Sequence, residues 1–209
     1  MTVENPTWWD REIDDHKAYG GSTNWDSKVF TAFLTRNDES VLDVGCGNGL
    51  VYKAMKELNM VPKTYKGIDA SFKMIEAARE LYPEATWEVG NTRKIEEADK
   101  SYDHVLLIHV IEAMRDYEEA IKECMRVAKN KVTVAFWRGL SHHDHDIPIQ
   151  MGPGLDDYGT SYSAKKFFTF LKDQGFIHSP WVEFYADDTR YNLFITVDLQ
   201  RSRTEVSAL

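Results

Sequence analysis

Val41-Leu42-Asp43-Val44-Gly45-Cys46-Gly47-Asn48-Gly49 passes from a short apolar run into three glycines at alternate positions, and apolar residues at helical spacing continue over 50–58. A compact apolar run that ends in glycine suits a buried parallel strand, and the periodic stretch after it suits a helix packed against that strand. The glycines lie at the strand–helix turn, where a missing Cβ lets the backbone come close to a ligand. A helix start adds N–H donors and a positive dipole end.

The same alternation extends outward from this turn. Residues 65–69 read as a second strand, and Ser71 reads as the N-cap of a helix reaching Leu81, with Pro83 beyond its end. Residues 86–89 read as a third strand, 105–108 as a fourth and the most hydrophobic, 117–128 as a helix and 132–137 as a fifth strand. Strands alternating with helices imply parallel pairing through right-handed crossovers. Beyond strand five, residues 138–162 are rich in Gly, His and Asp and are expected to form a long insertion. Residues 163–174 return to helical spacing and stop at Gly175. Two β-rich runs at 181–185 and 193–199 are expected to pair as an antiparallel hairpin, and the polar residues after Gln200 to fray. Residues 1–40 read as a helical cap, with Trp8, Trp9, Ile13 and His16 on one helical face and Val29, Phe30, Phe33 and Leu34 on another, separated at Tyr19-Gly20-Gly21-Ser22.

The chain has 209 residues, 43% hydrophobic and 28% charged, an ordinary composition for one globular domain over 1–209. Its formal net charge of -9 argues against nucleic acid or an anionic membrane surface as partner, since both favour a basic face. No apolar run reaches the ~20 residues of a membrane span. The start is acidic and lacks the basic-then-apolar order of a signal peptide. Two cysteines, Cys46 and Cys124, make neither a disulfide framework nor a CxxC knuckle. The expected location is the cytoplasm.

Asp69 closes the second strand about 20 residues after the glycine turn, where a carboxylate can accept both hydroxyls of a ribose. NAD and an adenosyl sulfonium both fit that frame. The dinucleotide fingerprint asks for a third glycine three residues after the second. That position is Leu50, and Gly49 falls too early. A ligand without pyrophosphate does not need the fingerprint, so the spacing favours the adenosyl sulfonium.

Here the chain resembles a family. VLDVGCGNG (41–49) looks like the first motif of class I S-adenosylmethionine-dependent methyltransferases, and GIDAS (67–71) is similar to their second, with Asp69 as the ribose acid. YDHVLLIHVIEAM (102–114) resembles the fourth-strand motif, and KVTVAFW (131–137) resembles the family's fifth strand. The resemblance implies an α/β, Rossmann-like, seven-stranded sheet that is mostly parallel with an antiparallel last strand, helices on both faces and an N-terminal helical cap. It also implies a ligand at the carboxyl ends of strands one to four. The residues it marks for S-adenosylmethionine, and for the product S-adenosylhomocysteine, are Tyr19, Trp25, Asp43, Gly45, Cys46, Gly47, Asp69, Ala70, Met74, Asn91, Thr92, Ile108 and His109. Tyr19 and Trp25 are lid candidates. Two departures stand out. Asn91 replaces an acid after strand three, and Lys129-Asn130-Lys131 replaces Pro-Gly-Gly before strand five, where Asn130 is expected to take a left-handed turn.

Methyl transfer from a sulfonium is an in-line displacement helped by positioning, and a protic acceptor needs a base. His109, directly after strand four, is one candidate. His142, His143 and His145 are others, in Ser141-His142-His143-Asp144-His145-Asp146. That run also holds the elements of a divalent metal site (His142, His143, Asp144, His145, Asp146), although a metal is not favoured over direct contact with an organic acceptor. Strand four does not lead into an Asn-Pro-Pro-Tyr-like tetrapeptide, which argues against adenine or glutamine amino groups. The expected acceptor is a small molecule methylated on O or N. The alternatives are tRNA or a protein side chain, then an NAD-dependent oxidoreductase or a non-catalytic adenosyl-binding protein.

Overall fold

A computed structural model describes residues 25–137, 139–150, 158–176, 180–186 and 191–200. The expected faces of Trp8, Trp9, Ile13 and His16, the lid residue Tyr19 and the tail beyond Gln200 lie outside the described residues, as does the side chain of Trp25. The chain forms two compact units that divide between Glu96 and Glu97.

The first unit holds α1 (Trp25–Leu34), β1 (Ser40–Val44), α2 (Leu50–Glu57), β2 (Thr64–Asp69), α3 (Phe72–Leu81) and β3 (Thr86–Val89). Its strands run parallel in the order β3-β2-β1. In β1, Val41, Leu42, Asp43 and Val44 are all buried, which explains the continuous apolar run. Helix α2 starts from Gly49, whose φ of 87° is left-handed, and buries Val51, Tyr52, Ala54 and Met55. Ser71 caps α3 as expected, its Oγ accepting from the Met74 amide at 3.2 Å. The register places Asp43, Gly67 and Trp87 in one cross-strand row, so Asp43 and Trp87 flank a residue without a side chain.

On α1 the expectation from spacing meets a difference. Phe33 is 60% exposed, and the residues turned inward are Ser27, Thr31, Ala32 and Thr35. Their hydroxyls stay satisfied, Thr31 donating to the Ser27 carbonyl at 2.7 Å and Thr35 to the Ala32 carbonyl at 2.8 Å. Small side chains let a helix pack closely, and apolar periodicity alone does not register that.

The second unit holds β4 (Tyr102–Ile108), a 3-10 turn (Ile111–Ala113), α4 (Glu118–Val127), β5 (Ala128–Phe136), β6 (Ile147–Gln150), β7 (Tyr158–Ser161), α5 (Ala164–Asp173), β8 (Pro180–Ala186) and β9 (Tyr191–Asp198). β4 and β5 are parallel, β9 is antiparallel to β5, and β8 is antiparallel to β9. The closing hairpin therefore forms as its two β-rich runs predict. Two expectations are corrected. β5 begins at Ala128, straight out of α4, so Asn130 is extended rather than left-handed; its Nδ2 donates to Asp103 Oδ1 at 3.2 Å. β4 begins at Tyr102, three residues earlier than its apolar run, because His104 is buried there with Nε2 2.8 Å from Thr133 Oγ1. The insertion carries its own two-stranded antiparallel sheet, β6 with β7.

Candidate functional site

In the first unit the glycine turn is held by its own backbone. The amides of Gly45 and Cys46 both donate to the Ile68 carbonyl, at 2.7 and 3.1 Å, and the Gly49 amide donates to the Cys46 carbonyl at 3.1 Å. The Gly47 amide donates to Asp69 Oδ2 at 2.9 Å. Four amides of the turn are thus occupied within the protein. The turn contributes space instead: a Cβ at Gly47 would meet nothing within 4 Å, and its φ of 55° suits glycine.

Acids dominate the chemistry of this unit. Asp69 is half-buried, and its Oδ1 accepts from the Ser71 amide at 2.8 Å. A carboxylate has about four acceptor sites, so an acid that accepts from two amides can also accept from ribose hydroxyls. Asp43 is buried, with Oδ2 2.5 Å from the Tyr65 hydroxyl. Burial pushes the Asp43 carboxyl up to about 6, and Asp69 adds to the rise; the Tyr65 hydrogen bond and the charge of Lys28 on α1 oppose it. Burial brings Lys28 down to about 8 against the pull of Asp43. The Cys46 thiol is driven well above its ordinary range by burial and then by Asp43 and Asp69, so it is no nucleophile.

The other expected cofactor residues of this unit divide. Ala70 is exposed, Thr92 half-buried and Met74 buried. Asn91 is exposed, and its Oδ1 accepts from the Arg93 amide at 2.9 Å, forming a local turn. Tyr65 and Lys28 are absent from the residues that the sequence marks. The available signal for Tyr65 is its place in β2 two residues before Gly67, on the face it shares with Asp43.

In the second unit β4 ends at the buried Ile108, and the next residue is His109, whose φ of 59° is left-handed. For a residue with a Cβ that conformation is strained, a feature that clusters at functional sites. Its amide donates to the Ala135 carbonyl at 2.9 Å, and its ring lies nearly parallel to that of Trp137, 17° apart with centroids at 6.4 Å. Sequence reasoning also misses Trp137, though the register of β4 and β5 brings the two strand ends together.

His142, His143 and His145 are exposed. The closer ring pair is His142 with His143, centroids 4.4 Å apart, and His143 and His145 are 6.0 Å apart. The two acids of the run are held elsewhere. Asp144 pairs with Lys165 at 2.9 Å, and Asp146 pairs with Lys166 at 2.6 Å and accepts from the Ser163 amide at 2.8 Å. Among the described residues no three His, Cys, Asp or Glu side chains are grouped to hold a metal ion.

A family model for a methyltransferase domain matches residues 42–136. Over these residues the chain is similar to a class I methyltransferase domain. Its matched span begins on β1, runs through the glycine turn and Asp69 and ends on β5, and the family implies use of S-adenosylmethionine. Over 114 residues the chain is 29% identical to the demethylmenaquinone methyltransferase of Thermotoga maritima, covering 54% of this chain and 49% of that protein. Over 119 residues it is 31% identical to the ajmaline N-methyltransferase of Rauvolfia serpentina, covering 54% and 39%. The chain thus spans about half or less of the length of these curated relatives. The structure also resembles that of a methyltransferase of Haloferax volcanii solved in complex with the Trm112 methyltransferase activator. The TM-score is 0.71 at 17% identity, over 93% of this chain and 99% of the other. That likeness establishes the fold: Rossmann-like α/β, mostly parallel, with an antiparallel last strand. No helix among the described residues is long and apolar enough to cross a membrane.

Proposed function

We propose that the protein transfers a methyl group from S-adenosylmethionine to an oxygen or nitrogen of a small molecule. The observation that carries the reading is the glycine turn, whose Gly45, Cys46, Gly47 and Gly49 amides are used internally while two acids, Asp43 and Asp69, stand beside it. A pyrophosphate needs free N–H donors and suffers from nearby carboxylates. A cationic amino-acid end and a ribose find acceptors here. The residues therefore fit the adenosyl sulfonium and not a dinucleotide.

S-adenosylmethionine supplies an electrophilic methyl group on a cationic sulfur. Asp69 holds ribose hydroxyls, Asp43 favours the cationic amino-acid end, and Gly47 leaves clearance where a side chain would intrude. Ala70, Met74, Asn91 and Thr92 serve the adenine side. The His109 imidazole takes the proton from a protic acceptor, and the Trp137 ring beside it suits a flat organic acceptor. His142, His143 and His145 contact the acceptor directly rather than through a metal. The names of the relatives, a demethylmenaquinone and an alkaloid methyltransferase, support a small organic acceptor for this chain.

Two measurements test the reading. Calorimetry should give heat with S-adenosylhomocysteine and none with NAD. Release of S-adenosylhomocysteine should then be monitored with hydroquinones, catechols and heteroaromatic amines, and with tRNA and a protein mixture. Heat with NAD alone would overturn the cofactor reading, and turnover with only tRNA or protein would overturn the acceptor class.

A further inference from the structure

Behind the glycine turn stands an aromatic cluster that the binding reading does not use. Trp87 is buried on β3, and its indole Nε1 donates to the Tyr82 carbonyl at 2.8 Å. Its six-membered ring lies where two glycines leave room. A Cβ at Gly67 would come within 2.5 Å of it, and a Cβ at Gly49, the last residue of the turn, within 2.8 Å. The Cys46 sulfur is also 2.8 Å from the position of a Cβ at Gly67. Tyr65 packs against the same indole with ring centroids 5.5 Å apart, and against Tyr52 at 4.9 Å. From there its hydroxyl reaches the Asp43 carboxylate at 2.5 Å.

The placement comes from register. Asp43, Gly67 and Trp87 occupy one row across β1, β2 and β3, and side chains in a row share a face of the sheet. Glycine in the middle lets the indole lean across β2 toward Gly49 and the Cys46 sulfur. Tyr65, two residues before Gly67, shares the face and meets Asp43 diagonally. The cluster therefore meets the turn at Gly49 and the preceding acid at Asp43.

We infer that Tyr65 and Trp87 are positioning residues that brace the adenosyl-binding turn, Tyr65 by orienting the Asp43 carboxylate and Trp87 by wedging the turn from beneath. The inference rests on the proposed adenosyl-binding reading. Core packing alone would use rings of this size without a hydroxyl aimed at a buried carboxylate. A hydrogen bond from a neutral hydroxyl favours the ionised acid, so Tyr65 keeps Asp43 charged to lower pH than burial would allow. The other charged and titratable groups acting on Asp43 are Lys28 from α1, Asp69 at the end of β2, and Cys46 in the turn.

The test is calorimetry of S-adenosylhomocysteine binding to the full chain between pH 5 and pH 8.5, with thermal unfolding of each variant in parallel. In the parent, binding should weaken as the pH falls through about 6, where Asp43 takes up its proton. Tyr65→Phe keeps the ring and loses only the hydroxyl. Its midpoint should rise, and its affinity at pH 6.5 should fall roughly fivefold, the equivalent of one hydrogen bond. Trp87→Phe should weaken binding several-fold at every pH and leave the midpoint in place. Tyr65→Phe with the parent's affinity and midpoint overturns the brace while the binding reading stands. Should Tyr65→Phe not fold, Trp87→Phe decides: unchanged affinity in that variant overturns the brace. A folded parent that gives no heat overturns both the brace and the binding reading.

Discussion

The backbone amide of Gly47 donates to Asp69 Oδ2 at 2.9 Å, joining two residues 22 positions apart in the chain. One carboxylate thereby holds the glycine turn to the end of β2 while the Ser71 amide, at 2.8 Å, holds its other oxygen. In the proposed function the same group faces the ribose, so a ligand contact and a fold contact converge on Asp69.

Asp69→Ala should weaken S-adenosylhomocysteine binding by roughly 100-fold, because hydrogen bonds to a charged group contribute about 1.5–3 kcal/mol each. Asp69→Asn keeps one acceptor oxygen and should lose less. Calorimetry on both variants, with thermal unfolding alongside, separates ligand loss from fold loss.

Two glycine substitutions should separate packing from clearance. Gly49→Ala sets a Cβ 2.8 Å from the Trp87 ring at a φ of 87°, so overlap adds to backbone strain, and the loss should reach about 3 kcal/mol. Gly47→Ala meets no atom within 4 Å and should lose only about 1 kcal/mol to its positive φ. Gly47→Ala should nevertheless bind S-adenosylhomocysteine more weakly. Denaturant unfolding and calorimetry read the two effects independently.

The Asp43 carboxyl, at about 6 when folded against 3.8 as its ordinary value, has a stability signature with a definite sign. The folded chain holds this proton more tightly than the unfolded chain. Stability from Asp43 is therefore fully present below about pH 4 and is lost as the pH rises through 6. Asp43→Asn cannot titrate. The stability of the parent relative to Asp43→Asn should fall by about 3 kcal/mol between pH 4 and pH 7, at 1.36 kcal/mol per unit. A flat difference across that range would contradict the burial of Asp43.

His109→Gly should fold at least as well as the parent, to within about 1 kcal/mol, because glycine accepts the left-handed φ of 59° without strain. Turnover should nonetheless drop by about 100-fold or more, the usual contribution of a general base. A glycine variant with full turnover would assign His109 to the backbone turn alone.

Much of the fold is legible in the sequence because each element obeys a local rule. The apolar run at Val41–Val44 and the Ser71 cap can be read from a few neighbouring residues. The apolar pattern makes β5 too short because Lys129 and Lys131 interrupt it, although Ala128 already pairs with Tyr102 and Lys131 with His104, on either side of an irregularity in the ladder. On α1, Ser27, Thr31 and Ala32 are the buried positions because closeness of approach, and not hydrophobicity, selects that face.

The sequence by itself determined the alternation of strand and helix, the glycine turn, the acid at Asp69 and, through them, the resemblance to a methyltransferase domain. These depend on backbone sterics, capping and short-range periodicity, which act within a few residues. Tertiary structure alone decided that the Gly45, Cys46, Gly47 and Gly49 amides are occupied within the protein, that Asp43 shares a proton-sensitive contact with Tyr65, and that Trp87 leans over Gly67. It also decided that lysines on α5 take the acids of the histidine run. Each of those outcomes depends on strand register or on partners tens of residues apart, and no local pattern encodes which side chain arrives there.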